Sequence, residues 1–137
     1  MKSRLFAACL GLLLFAVNAH RALADTPTEE LPQCVVITHC VRVDWQVKDV
    51  EKAFKKTMQA IESTPRTKIV EKTESYLHAE STTKWMRYVD DLEVKSIPAK
   101  NVIQVRSESR VGIGDNGVNK KRIDDLEYRL STNQLSN

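Results

Sequence analysis

The hydrophobic period of this chain changes twice, and those two changes set its fold class. Between about Val47 and Glu62, the apolar residues Val47, Val50, Phe54, Met58 and Ile61 recur at helical spacing with Lys and Glu on the opposite side. This stripe predicts an amphipathic helix, ended by Ser63-Thr64-Pro65 because a proline disfavours helical backbone in the residue before it. After Pro65 the period falls to two and no glycine occurs until Gly112, so strands are expected near 67–73, 75–84, 86–96 and 101–111. Helical spacing returns from Asn119, with Ile123, Leu126 and Leu130 on one side.

Alternate residues of the central segment divide into two faces. Leu77, Ala79, Met86, Tyr88, Leu92, Val94, Ile103, Val105 and Val111 form an apolar face that must be covered. The other face collects Tyr76, His78, Glu80, Trp85, Arg87, Asp91, Glu93, Gln104, Arg106, Glu108 and Arg110, either solvated or a binding surface. Short connections favour an antiparallel four-stranded meander with two helices packed on one face, in the α+β class.

Residues 1–24 are of different material. Lys2 and Arg4 precede an apolar run of 13 residues, Leu5–Val17, and Ala22-Leu23-Ala24 offers small residues where a signal peptidase reads. The run is shorter than the roughly 20 residues of a membrane-spanning helix, so a cleaved signal peptide is expected, with no stable membrane anchor afterwards. Export to a periplasm, a thylakoid lumen or the extracellular space follows. The leader carries Lys2, Arg4 and Arg21 and no acid, so its loss lowers the basic count from 21 to 18, equal to the 18 acids. A formally neutral chain argues against both nucleic acid and an anionic membrane as partners. The acidic, proline-containing stretch 25–33 reads as a flexible lead-in, and 34–133 as a single domain able to bury roughly 60% of its unfolded surface.

Cys34 and Cys40 remain in the exported part, where an oxidising compartment favours a disulfide. Metal binding with His39 competes, but two thiols and one imidazole fall short of the usual four zinc ligands. No metal and no cofactor are expected.

Gly112, Gly114 and Gly117 have G-x-G-x-x-G spacing between a predicted strand and a predicted helix. A dinucleotide site also needs a second parallel strand bearing an acid about 20 residues onward, and no such strand follows. The glycines are better explained as a reversal, with Asp115-Asn116-Gly117 as the turn and Asn119 as the helix cap. Lys120, Lys121 and Arg122 then crowd the first helical turn, where the helix dipole disfavours cations. Their counter-charge is either internal, with Asp115 or Asp124 as candidates, or an external carboxylate or phosphate.

The two cysteines, Pro65-Arg66, Tyr76-Leu77-His78-Ala79-Glu80, Asp90-Asp91-Leu92-Glu93, the run Val105–Gly112, Asp115, Gly117-Val118-Asn119 and Arg122 together resemble the family known as domain of unknown function 1499. The prolines usual between the cysteines of that family are absent, and Gly114 and Asn116 replace residues commoner there. The resemblance implies an exported bacterial or plastid-associated protein and no established activity.

His78 and Glu80 point to one side of a strand, roughly 7 Å apart. A metal or an acid–base pair could use them, but Asp91, Glu93, Arg106 and Arg110 share that face and explain them as cross-strand ion pairs. No catalytic motif appears. The expected function is a non-catalytic module binding a small anion or a protein partner through His78, Glu80, Asp91, Arg106 and Arg110 on the sheet and Asp115, Asn119 and Arg122 on the loop. The alternative is an enzyme of hydrolase-like activity using His78 with Glu80 or Asp91.

Overall fold

The computed structural model describes residues 30–132, in which the two-residue alternation becomes a sheet with one greasy and one charged side. In chain order come β1 (Cys40–Gln46), α1 (Val50–Glu62), β2 (Thr67–Lys72), β3 (Tyr76–Thr82), β4 (Val89–Ile97), a 3-10 turn at Pro98–Lys100, β5 (Val102–Ser109) and α2 (Val118–Thr132). All pairings are antiparallel, in the spatial order β1-β5-β4-β3-β2. The chain starts on one edge, passes over the sheet as α1, and meanders back until β5 meets β1.

Side-chain parity fixes which face the helices cover. Leu77, Ala79, Leu92, Val94, Ile103 and Val105 are all at most 1% exposed, beneath Phe54 and Ile61 of α1 and Ile123, Leu126 and Leu130 of α2. Each such aliphatic side chain contributes about 1.5–3 kcal/mol by leaving water. Asp49 caps α1 by accepting from the Lys52 amide at 2.9 Å, and Arg129 of α2 donates to the Ala60 carbonyl at 3.0 Å near the other end of α1. The second contact ties the helices together where α1 runs out of internal partners.

The sheet departs from the expected four strands in having a fifth. β1 alternates Val41, Val43 and Trp45 toward the core over seven residues beginning at the second cysteine, a short strand pattern ahead of the helix that the four-strand expectation leaves out. Its pairing with β5, from Cys40 opposite Glu108 to Gln46 opposite Val102, is what makes it a strand. The strand ends also differ. Thr83–Tyr88 is a loop closed by Thr83 N–H donating to the Tyr88 carbonyl at 2.8 Å, with Arg87 at φ 59°. Trp85, Met86, Arg87 and Tyr88 therefore lie off both faces of the sheet, and Met86, Tyr88 and Val111 are exposed instead of covered.

Cys34 and Cys40 form the expected bridge, with Cα atoms 5.5 Å apart. Just before it, Leu31 is buried and its N–H donates to Gln104 Oε1 at 2.9 Å, while Glu30 pairs with Arg42 and Lys100. The end of the lead-in thus covers one rung of the charged face and leaves Gln104 without solvent contact. The expected leader, its cleavage point and residues 25–29 of the lead-in lie outside the described residues.

Candidate functional site

At one end of the sheet the apolar face turns polar. Thr67, Ser81, Asp90 and Ser109 stand opposite one another across β2, β3, β4 and β5, one rung beyond the row that contains Ala79 and Leu92. Parity directs all four toward the helices. Asp90 is 1% exposed, and its Oδ2 accepts from Arg122 Nη2 at 2.6 Å. Its Oδ1 is buried with no hydrogen-bond partner among the described residues. An acceptor left so costs about 1–3 kcal/mol.

Arg122 reaches this rung because Asn119 lies under it. Asn119 is fully buried inside α2, and its Oδ1 accepts from Ser107 Oγ at 2.6 Å and Arg122 Nη1 at 2.5 Å. Its Nδ2 donates to the His39 carbonyl at 3.0 Å and to Ser109 Oγ at 2.9 Å. The side chain thereby uses its full bonding capacity. Asn119 is consequently not the helix cap. Asp115 is, its two carboxylate oxygens accepting from the Gly117 amide at 2.9 Å and the Asn119 amide at 2.8 Å. Partial burial opposes ionisation of Asp115, yet those two amides outweigh it and hold the carboxyl below its ordinary range. The crowded cations find internal partners: Lys120 pairs with Asp124, Lys121 with Asp125 and Arg122 with Asp90.

The glycine loop is positioned from the other side of the chain. Asp115 N–H donates to the Thr38 carbonyl at 3.2 Å, Thr38 Oγ1 donates to the Ile113 carbonyl, and Ser109 N–H donates to the His39 carbonyl at 3.0 Å. The segment closed by the disulfide therefore clasps the loop. Between that loop, the first turns of α2, the β3–β4 loop and the α1–β2 turn lies a cleft of about 860 Å³. Ser81, Asp90, Ser109 and Arg122 form its polar floor, Arg66, Lys84, Lys121 and Asp125 are among the charged residues that also line it, and Trp85, Met86, Tyr88 and Val111 are apolar lining.

On the far side of the sheet, His78, Glu80, Asp91, Arg106 and Arg110 come together as the alternation predicts. His78 Nε2 and Asp91 Oδ1 are 2.7 Å apart, and Arg110 donates to both Asp91 oxygens at 2.7 and 2.9 Å and to Glu80 at 2.6 Å. Arg106 binds Glu93 at 2.7 Å and also Glu108, while Tyr76 donates to Glu93 at 2.9 Å. Hydrogen bonds from Arg110 hold the Asp91 carboxyl below its usual range against partial desolvation, with His78 adding to the effect. Burial first, then Glu93, pushes the Tyr76 phenol up. This face is a lattice of paired charges, although Arg42 Nε and Arg106 Nε are buried without a hydrogen-bond partner among the described residues. The sheet separates it from Asp115, Asn119 and Arg122, so the eight candidate residues form two groups, and only the second adjoins the cleft. Among the described residues no three His, Cys, Asp or Glu side chains are placed to hold a metal, and no helix is long and apolar enough to cross a membrane.

A family model described as "Protein of unknown function (DUF1499)" matches residues 26–130. The chain belongs to that family. No curated protein matches it. In this DUF1499 chain the matched span includes every strand, the clasp, the cleft and all but the last two residues of α2.

Asp90 and Ser81 are the site residues that the residue-by-residue reading passed over. Both carried a signal, since Asp90 has the parity of Leu92 and Val94, and Ser81 that of Leu77 and Ala79. A carboxylate in phase with the core must find a partner or a ligand.

Proposed function

We propose that this chain is an exported, non-catalytic binding module that takes an amphipathic small molecule into the cleft beside α2. The observation carrying this reading is the buried Asp90 Oδ1, an acceptor without a donor, at a polar rung under an apolar mouth. A ligand with a hydroxyl or ammonium head supplies the missing donor, and its apolar body packs against Tyr88, Met86 and Val111. Arg122, the partly buried cation paired with Asp90, is already neutralised by it, so the floor suits a donor head better than the simple anion expected from the loop alone. Export is supported by the leader pattern and by a disulfide that an oxidising compartment maintains.

The test is an NMR titration with a medium-chain alcohol, amine, carboxylate and phosphate of one tail length. The alcohol or amine is expected to shift the amides of Ser81, Asp90, Ser109 and Arg122 and to bind about tenfold or more tighter than the two anions, the worth of one buried acceptor regained. Preference for the anions, or shifts confined to the charged sheet face, would overturn the reading.

A further inference from the structure

The register of the sheet places five loops and ends together: the C-terminal ends of β3 and β5 and the N-terminal ends of β1, β2 and β4 all lie at the cleft end. Nine of the eleven large hydrophobic side chains that stand exposed among the described residues belong to this one end. They are carried on separate loops. Val35 and Ile37 lie on the disulfide-closed segment, Trp85 and Met86 on the β3–β4 loop, and Ile113 on the glycine loop, with Ile113 and Val35 each 91% and Trp85 82% exposed. Exposed apolar groups concentrated in this way mark an interaction surface.

The charges around them select the partner. The segments 34–39, 83–88 and 110–117 hold a single acid, Asp115, whose carboxylate is occupied by backbone amides. Lys84 lies over the Trp85 ring at 4.8 Å, Arg66 donates to the Thr82 carbonyl, and neither these nor Arg87 has an acidic partner among the described residues. Apolar tips on separate loops, a tryptophan whose ring is part polar, and flanking cations with long apolar stems fit the headgroup region of an anionic bilayer. A fluid bilayer conforms to separate tips, whereas a folded protein must present a matching hollow for each.

We propose that the cleft end of the molecule docks on anionic lipid bilayers, seating Trp85, Met86, Ile113, Ile37 and Val35 among the headgroups with Arg66, Lys84 and Arg87 against lipid phosphates. The cleft mouth then opens toward the lipid.

The chain has two tryptophans, of which Trp45 is buried in the core and Trp85 is exposed, so a change of emission on docking reports Trp85. Protein recovered after export is mixed with vesicles of phosphatidylcholine alone or with about one-third phosphatidylglycerol, some carrying brominated acyl chains. Docking predicts a blue shift and bromine quenching on the anionic vesicles only. The partition coefficient should fall about fivefold for each of Lys84→Gln and Arg87→Gln. Ile113→Ser, on an exposed loop tip where folding is insensitive, should lower it roughly tenfold. Three results would overturn the proposal: Trp85 emission unchanged on anionic vesicles at low salt, vesicle binding without quenching of Trp85, or binding unaltered by Ile113→Ser. The first directs the surface to a protein partner, the second to another part of the chain and the third to charge alone.

Discussion

Replacing Asn119 by leucine removes one polar hub while keeping the branching at Cγ, and the loss can be worked from its four hydrogen bonds. Its Oδ1 accepts from the Ser107 hydroxyl and the Arg122 guanidinium, and its Nδ2 donates to the His39 carbonyl and the Ser109 hydroxyl. A neutral buried bond contributes about 1 kcal/mol net, and one to a charged group about 1.5–3 kcal/mol. Ser107 Oγ still accepts from Arg122 Nη1 at 2.8 Å, so part of the network re-pairs. The His39 carbonyl and Ser109 Oγ do not recover Nδ2, which gives an expected loss of about 3–5 kcal/mol. Against a total of about 5–15 kcal/mol for a domain of this size, that is a large fraction. Urea unfolding of the oxidised Asn119→Leu variant, followed by far-ultraviolet circular dichroism, should show a lower midpoint at an unchanged slope. A loss under about 1 kcal/mol would mean that the hub's partners are satisfied by solvent, and the account of the buried network would fail.

The clasp gives a redox prediction: Cys34→Ala/Cys40→Ala should cost about 2 kcal/mol and speed hydrogen exchange at the Ser109 and Asp115 amides, and unchanged exchange there would separate the disulfide from the glycine loop. The Asp115 cap gives a pH prediction. Its folded carboxyl lies below the ordinary value near 4, so the stability it contributes is complete above that value and is lost as pH falls through the lower folded one. Melting temperature should therefore drop more steeply below about pH 4 in the wild type than in Asp115→Asn, whose amide oxygen still caps, and parallel curves would refute the role. On the charged face, His78→Gln should change stability by less than about 1 kcal/mol, because the His78–Asp91 pair is a quarter exposed. Loss of a measurable hydrolytic turnover in that variant would favour the enzymatic alternative.

Much of this architecture is legible in the periodicity. Leu77, Leu92 and Ile103 fall inward, and Glu93 and Arg106 fall outward, because a strand offers only two sides and water decides between them. What escapes the pattern is non-local. Val41, Val43 and Trp45 alternate with Arg42 and Asp44, so Cys40–Gln46 carries a strand's local pattern, but its partner, β5, is more than fifty residues away and only the pairing shows where it sits. The alternation also runs on past the true strand ends, since Met86 and Tyr88 keep the phase of the core while a loop with Arg87 at positive φ carries them out. The charged face, legible at once, proved to be paired within itself. The cleft rung is less legible because Ser81, Asp90 and Ser109 interrupt three different strands and only the cross-strand register brings them to one level.

The glycine loop shows how a motif can mark the right place for the wrong reason. Gly112 and Gly117 have φ of 98° and 78°, a region closed to most side chains, and with Asn116 at 52° they turn the chain from β5 into α2. Gly114, the middle member of the spacing, needs no such freedom: a Cβ there would meet the Thr38 carbonyl at 3.6 Å, an ordinary contact. The spacing is thus two turn glycines and one coincidence. At the start of α2 the amides of Asp115, Gly117 and Asn119 are engaged by the Thr38 carbonyl and the Asp115 carboxylate, so a turn accounts for the spacing without a phosphate. What the turn accomplishes is to begin α2 where Asn119 and Arg122 can reach the polar rung. That placement, and not the glycine spacing, is why the loop borders the cleft.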